Sequence, residues 1–340
     1  MKRQAKIVKW FFKVVVAGIV AFLILNIATY FYYFVPYNIT CESGSTDYKL
    51  PAGFCGYNMR EGFGRTQIDA NGYNNMSIPS EINVLCMGSS HSLGYNVFPE
   101  ENYVAILNES LQSSLEMTAY NIGMYGHEWY YCMRNLESAL EEFRPSQYVV
   151  IESFYSKFDT DKLEKLNHDE YGKAGEVVSP VMGMLKKVPY FQIAMSQMKN
   201  MMSDNKSTKE VVEKVQTEDK KEYIKQLTNT MQKAKEVAER YGVQLVFLYH
   251  PNVMVGKDGT AYTDTNDEYF EIWQRLCEEN EICMVSMEES FLSAYKQDYI
   301  LPRGFENTEM GEGHLNRYGH QMIAEKLYQR IMTEEMGGEK

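Results

Sequence analysis

From residue 82 onward, short apolar runs alternate with longer stretches in which apolar residues recur at helical spacing, and this alternation constrains the fold more than any other feature. Runs at 82–87, 118–122, 148–151, 243–249 and 282–285 lack the strict in-out alternation of a half-solvated strand and read as buried strands. Helical stretches stand between them at 98–112, 128–143, 217–240 and 266–279, and a last one covers 317–332. The stretch at 98–112 opens on Pro99, Glu100 and Glu101, which are helix-start signals, and 128–143 puts Trp129, Met133, Leu136 and Leu140 on one face. Strand and helix in this order predict a parallel sheet covered by helices on both faces. Residues 158–219 interrupt the rhythm. They are rich in Lys and Met and read as an insertion after the third strand, either a lid or partner surface or a solvated helical excursion.

Ahead of this region, Val14 and Val35 bound an apolar run broken only by Asn26 and Thr29, about the length of a helix that crosses a bilayer core. Lys2, Arg3, Lys6, Lys9 and Lys13 precede the run, and no cation follows it until Lys49. That asymmetry predicts a cytoplasmic N-terminus at 1–13, a transmembrane helix at 14–36 and an extracellular remainder, tethered to the cell membrane by a single pass. A cleaved signal peptide would be shorter and followed by a small-residue cleavage site. Residues 37–80 are rich in turn formers, among them Gly44, Gly53, Gly56, Gly62, Gly64 and Gly72, and read as a stalk and an irregular leader packed on a domain at 81–335.

The net charge of −12 understates the acidity of that domain, because the five N-terminal cations stand without an acid. Phosphate binding needs clustered Lys and Arg, so nucleic acid is not an expected partner. Of the six cysteines, Cys41 with Cys55 and Cys277 with Cys283 are candidate disulfides, whereas Cys86 in a strand and Cys132 in a helix read as buried thiols. Their spacing suits no zinc site, and neither a metal nor a cofactor is expected.

Three strings carry the chemistry. Gly88-Ser89-Ser90-His91-Ser92 follows the first strand, Asn121-Ile122-Gly123 ends the second, and Glu312-Gly313-His314-Leu315-Asn316 precedes the last helix. These are the places where a parallel-sheet enzyme puts its chemistry, at the carboxyl end of a strand or in the loop entering the final helix. A serine that must lose its proton to attack an acyl carbon needs an imidazole and a group to orient it. Ser90, His314 and an acid beside His314 supply that set, with Glu312, two residues before His314, and Glu309, five before, as the candidate acids. His250 ends the fourth strand at the same sheet edge and, with His91, is a candidate for contact with substrate, whereas His320 is expected on the surface of the last helix.

In this order the strings resemble the SGNH superfamily of GDSL-like hydrolases and acyltransferases over roughly residues 80–335. The resemblance implies a three-layer α/β/α, flavodoxin-like fold preceded by the one transmembrane helix. It implies Ser90 as nucleophile and His314 as base, and an oxyanion hole built from the Ser90 amide and Gly123, with Gly126 as the alternative glycine. Asn316 follows the histidine as such residues do in relatives and is carried as a substrate contact. Two departures stand out. The acid is not three residues before His314, where Gly311 stands, and the acid-Gly-His spacing of some membrane-associated relatives makes Glu312 the choice. The third block carries Glu152, Ser153, Phe154 and Tyr155 with no asparagine, so either Ser153 or Tyr155 replaces that oxyanion donor or the hole relies on backbone N–H groups alone.

A membrane-anchored serine esterase or O-acyltransferase follows as the expectation, acting through an acyl-enzyme on acyl esters, acetyl above all, of a cell-surface polysaccharide or teichoic-type polymer. Tyr95, Trp129, Tyr130 and Tyr131 are candidates to stack on sugar rings, and a multi-span membrane acyltransferase is a candidate partner. The alternative is a non-catalytic scaffold of the same fold that binds polymer or such a partner.

Overall fold

The computed structural model describes residues 2–32, 49–50, 52–53, 55–58, 61–168 and 220–337. Its first element, helix α1 (Lys2–Tyr32), is a body apart from the α/β unit. The stretch Lys6–Thr29 is long and apolar enough to cross a membrane. Its apolar side chains are exposed all round, as in Trp10, Phe12 and Ile24, and do not gather into one buried seam. The two polar residues in the run satisfy themselves: Asn26 Nδ2 donates to Phe22 O at 2.8 Å and Thr29 Oγ1 to Leu25 O at 2.6 Å.

The α/β unit contains a sheet of five parallel strands in the order β4-β3-β5-β6-β9, namely β3 (Val84–Met87), β4 (Ala119–Asn121), β5 (Tyr148–Ser153), β6 (Gln244–Tyr249) and β9 (Cys283–Ser286). In chain order this is 2-1-3-4-5, the doubly wound arrangement whose topological switch lies at its first strand. Here that strand is β3, and the Gly88 turn leaves its carboxyl end.

Alternate residues of the strands feed two cores. Val84, Cys86, Val150, Val246 and Leu248 pack with α3 (Tyr103–Leu115), α8 (Glu288–Asp298) and α9 (Arg317–Gly337). On the other face, Phe247 meets Trp129 of α4 (Trp129–Phe143) at 5.9 Å between ring centroids and Trp273 of α7 (Asp267–Glu279) at 5.7 Å. Trp129 therefore belongs to the core, and Tyr130 is buried beside it. Two further helices, α5 (Thr160–Asn167) and α6 (Lys220–Arg240), complete that face. The insertion enters the described residues only through α5, and 169–219 lies outside them.

Several boundaries move for local reasons. The helix expected at 98–112 is a 3-10 turn (Pro99–Glu101) followed by α3, because Asn102 adopts an extended conformation and accepts the Val104 N–H as N-cap. The one-turn helix α2 (Ser90–Leu93) had no periodicity to reveal it and stops where Gly94 turns left-handed at φ 70°. Two short antiparallel hairpins were also not foreseen: β1 (Cys55–Asn58) with β2 (Gly64–Gln67), and β7 (Val253–Val255) with β8 (Ala261–Thr263). Cys277 and Cys283 are free thiols, and Cys283 Sγ accepts the Arg330 Nε–H at 3.0 Å. Cys41 lies outside the described residues.

The leader is stitched to the sheet's edge. Asn75 reads strand β4 as another strand would, its Nδ2 donating to Asn121 O at 2.9 Å and its Oδ1 accepting Asn121 N–H at 3.1 Å. Asn75 Nδ2 also reaches Asp69 Oδ2 at 3.0 Å, and the Tyr120 hydroxyl donates to the same oxygen at 2.6 Å. Edge strands left open invite foreign pairing, and here leader side chains fill that role. Removing them from buried backbone groups costs about 1–3 kcal/mol. Asn75→Ala is therefore expected to lower the melting temperature of the full-length chain in detergent by several degrees, measured by thermal unfolding; an unchanged midpoint would show that solvent satisfies the edge.

Candidate active site

Ser89 is the N-cap of α2 and Ser90 its first residue, so the turn after β3 lifts the Ser90 side chain to the carboxyl edge of the sheet. Ser89 and Ser92 are buried and Ser90 is half-buried, which leaves one of the three serines accessible. Its Oγ lies 2.9 Å from Nε2 of His314. The chain brings the two together across 224 residues, as the sequence predicts.

The acid differs from expectation. Nδ1 of His314 is 2.8 Å from Oε2 of Glu61, which also accepts the His314 amide N–H at 3.1 Å. Glu312 is exposed to solvent, as is Glu309. Between Glu312 and His314 the chain turns through Gly313 at φ 77°, and a Cβ on Gly313 would stand 2.7 Å from the Glu61 carboxylate. The glycine keeps open the space through which Glu61 reaches the ring, and Glu312 lies on the far side of that turn.

Glu61 sits in the connection between β1 and β2, and each flank of that connection is fixed. Asn58 donates to Tyr95 O at 3.3 Å and bonds to the Asn96 side chain, Gly62 N–H donates to Asn307 Oδ1 at 2.6 Å, and Arg65 N–H donates to Val97 O at 3.3 Å. Gly64 approaches so closely that a Cβ would meet the backbone carbon of Asn96 at 2.5 Å. The one sequence signal for Glu61 is an acid followed by two closely spaced glycines, Glu61-Gly62-Phe63-Gly64, in a segment otherwise read as irregular.

Ser90, His314 and Glu61 form the geometry of a nucleophile, a base and an orienting carboxylate. His314 has its Nδ1–H directed at Glu61, so Nε2 is the nitrogen free to accept the Ser90 proton. At the oxyanion side the picture is narrower than the sequence implies. The Ser90 amide, at the first position of α2, has no intrahelical acceptor and is the donor available where charge would develop. Gly123 stands beside it, yet its N–H donates to Asn121 Oδ1 at 2.8 Å. The glycine is needed for contact, since a Cβ would lie 2.4 Å from Ser92 Cβ. Gly126, at φ 77°, has open space beside it. Ser153 Oγ is committed to Tyr155 O at 2.8 Å, so the predicted replacement donor is turned into its own loop.

The three residues carried as substrate contacts are buried and hydrogen-bonded within the protein. His250 is fully buried, with Nε2 2.9 Å from Glu152 Oε1 and Nδ1 2.7 Å from Arg303 Nη2. His91 is buried behind His314, with ring centroids 5.0 Å apart, and Leu315 N–H donates to its Nδ1 at 3.3 Å. Burial, with the Arg303 charge beside it, pushes the His91 ring well below its ordinary value and keeps it neutral. Asn316 caps α9: its Oδ1 accepts Tyr318 and Gly319 N–H at 3.0 and 3.2 Å, and its Nδ2 donates to Leu301 O at 2.9 Å. His320, expected at the surface, is buried and accepts the Tyr103 N–H on Nδ1 at 3.2 Å, joining α9 to α3. Of the aromatics, Tyr95 lies 6.3 Å from the His314 ring and 6.5 Å from Tyr125, which is 36% exposed, whereas Tyr131 stacks on His127 at 3.5 Å.

No family model and no curated protein matches the chain. Among solved structures it is similar to a two-domain esterase active on acetylated mannans, at 13% identity and a TM-score of 0.42 over 74% of this chain. The chain spans about half of that protein, 49% of its length. It is also similar to an acetylxylan esterase from Geobacillus stearothermophilus (15% identity, TM-score 0.39, 75% of this chain and 96% of that one). A third is a protein described as a GDSL-like lipase from Parabacteroides merdae (15% identity, TM-score 0.41, 75% and 97%).

Losing the carboxylate behind the imidazole costs about 10³–10⁴-fold in kcat in enzymes built this way. Glu61→Gln is expected to slow turnover of an aryl acetate on that scale, and Glu312→Gln to leave it within about twofold, measured by steady-state kinetics with folding checked by circular dichroism. The reverse ranking would restore Glu312 as the partner of His314.

Proposed function

We propose that this protein is a serine esterase that works through an acyl-enzyme, with Ser90 as nucleophile, His314 as general base and then acid, and Glu61 as the carboxylate that orients His314. The observation that carries the reading is the continuous relay of 2.9 Å and 2.8 Å through the two nitrogens of one imidazole. Ser90 Oγ forms a bond to the acyl carbon while its proton passes to His314 Nε2, and the tetrahedral intermediate collapses as that proton goes to the departing alkoxide. Water then repeats the sequence and releases the acid. A sugar hydroxyl admitted in place of water would give transfer from the same intermediate, and a multi-span membrane acyltransferase would be the natural source of acyl groups.

The substrate class we propose is an acyl ester, acetyl above all, on a cell-surface polysaccharide or teichoic-type polymer. Two features support it. Tyr125 offers an exposed ring near the Tyr95–His314 contact on which a sugar can stack, and helix α1, whose five cations all stand ahead of its apolar run, suits a domain held at the outer face of the cell membrane. A polymer-binding scaffold without catalysis is the second reading. The Gly123 amide's bond to Asn121 favours it, since one lost oxyanion donor costs about 10²–10³-fold.

Fluorophosphonate labelling separates the two, because phosphonylation requires an activated serine. The full-length chain is expected to label and to release acetate from an aryl ester, and Ser90→Ala to do neither; a wild-type chain that resists labelling would leave the scaffold, and labelling that persists in Ser90→Ala would move the nucleophile elsewhere. For topology, protease added to intact wall-stripped cells is expected to digest an epitope appended after Lys340. Protection of that epitope until lysis would reverse the orientation.

A further inference from the structure

Behind the site lies a second set of ionisable groups that the relay to Glu61 does not use. Glu152 is the fifth residue of β5, 1% exposed, beside the turn that leaves β3. Its Oε2 accepts Ser89 N–H at 2.7 Å, Ser89 Oγ–H at 2.9 Å and Ser92 Oγ–H at 3.0 Å. Its Oε1 faces His250 Nε2 at 2.9 Å. The residues bound on both sides of Ser90 thus share one carboxylate. Gly88 is part of the same fit, since a Cβ there would stand 2.4 Å from Glu152 Oε2.

His250 passes the connection on. Its Nδ1 accepts from Arg303 Nη2 at 2.7 Å, so Nε2 holds the proton that it donates to Glu152. Arg303, 1% exposed, also donates from Nη2 to His250 O at 2.8 Å and from Nη1 to Gly313 O at 2.9 Å, the carbonyl directly before His314. One buried line therefore runs from the turn bearing Ser90 to the loop bearing His314. Its ends carry opposite charge, with Glu152 anionic and Arg303 cationic around a neutral ring. Burial raises the Glu152 carboxyl, but the hydrogen bonds from His250 and Ser89 outweigh that and hold it below the ordinary carboxylate value. Burial brings Arg303 down to about 10, still cationic at neutral pH.

Resting on the esterase reading of Ser90, we propose that Glu152 is a positioning residue: through Ser89 and Ser92 on one side, and through His250 and Arg303 on the other, it sets the Ser90 turn in register with the His314 loop. Position 89 is a serine and supplies no charge of its own, so the carboxylate comes from the neighbouring strand. Glutamine cannot replace it, because an amide has one acceptor oxygen while both the His250 Nε2–H and the Ser89 N–H require one.

The test is the rate at which Ser90 in the full-length chain reacts with a fluorophosphonate, read together with the fraction finally labelled and with the melting temperature. A merely structural role would lower the labelled fraction and leave the rate per folded site alone. Positioning predicts the opposite: Glu152→Gln labels to completion, about 10–100-fold more slowly, with KM for an aryl acetate changed less than kcat. Ser89→Ala, which keeps the carboxylate and removes one anchor, is expected to slow labelling several-fold and serves should Glu152→Gln fail to fold. Asn167→Ala, which loosens α5 from α6 far from the site, provides a destabilised control whose rate stays at the wild-type value. Wild-type rates in the folded Glu152→Gln and Ser89→Ala chains would overturn the assignment alone. A wild-type chain that does not label would overturn the esterase reading and this assignment with it.

Discussion

The bond between His314 and Glu61 is the interaction around which the rest of the unit is arranged. It joins positions 253 residues apart, and its 2.8 Å length depends on backbone that admits no substitute: a left-handed glycine at 313 to clear the carboxylate and a glycine at 64 pressed on Asn96. Each of these residues is costly as isolated sequence, because glycine gives up conformational freedom on folding. They become explicable once the carboxylate's path to the ring is known. The β1–β2 hairpin exists, on this view, as a bracket for one side chain.

A second principle is that charge is admitted to the interior only where it is matched. Glu152 and Arg303 are both buried to 1% exposure, and an unpaired ion there would cost several kcal/mol. The neutral His250 between them lets opposite charges compensate without touching, while its two nitrogens fix which atom faces which neighbour. The same economy explains the histidines. His91 and His320 are held neutral by burial and act as hydrogen-bond acceptors for backbone N–H groups, of Leu315 and Tyr103 respectively.

The sheet was legible in the sequence because strands covered on both faces must be apolar, and the runs at 82–87 and 243–249 had no other reading. Ser90 and His314 were legible because chemistry gathers at the carboxyl ends of such strands. Glu61 was not, since nothing local ties an acid in a glycine-rich leader to a histidine beyond the last strand, and proximity in sequence favoured Glu312. The burial of Asn316 and His250 was not legible for a related reason. A polar residue next to a motif looks the same in sequence whether it faces a ligand or caps a helix, and only burial separates the two. The short hairpins and α2 carry too few residues for any period to emerge.

The position of Glu61 also fixes the order in which the site can come into being. Synthesis runs from the N-terminus, so the acid emerges early and waits for His314, which precedes the last helix. Contacts of such long sequence separation form late, after the entropy of closing the intervening chain has been met. Ser90, too, follows the first strand of the sheet, whereas His314 lies beyond the last. No chain that stops short of His314 can therefore hold the three side chains together, and Ser90 meets His314 only once the segment beyond the last strand is in place.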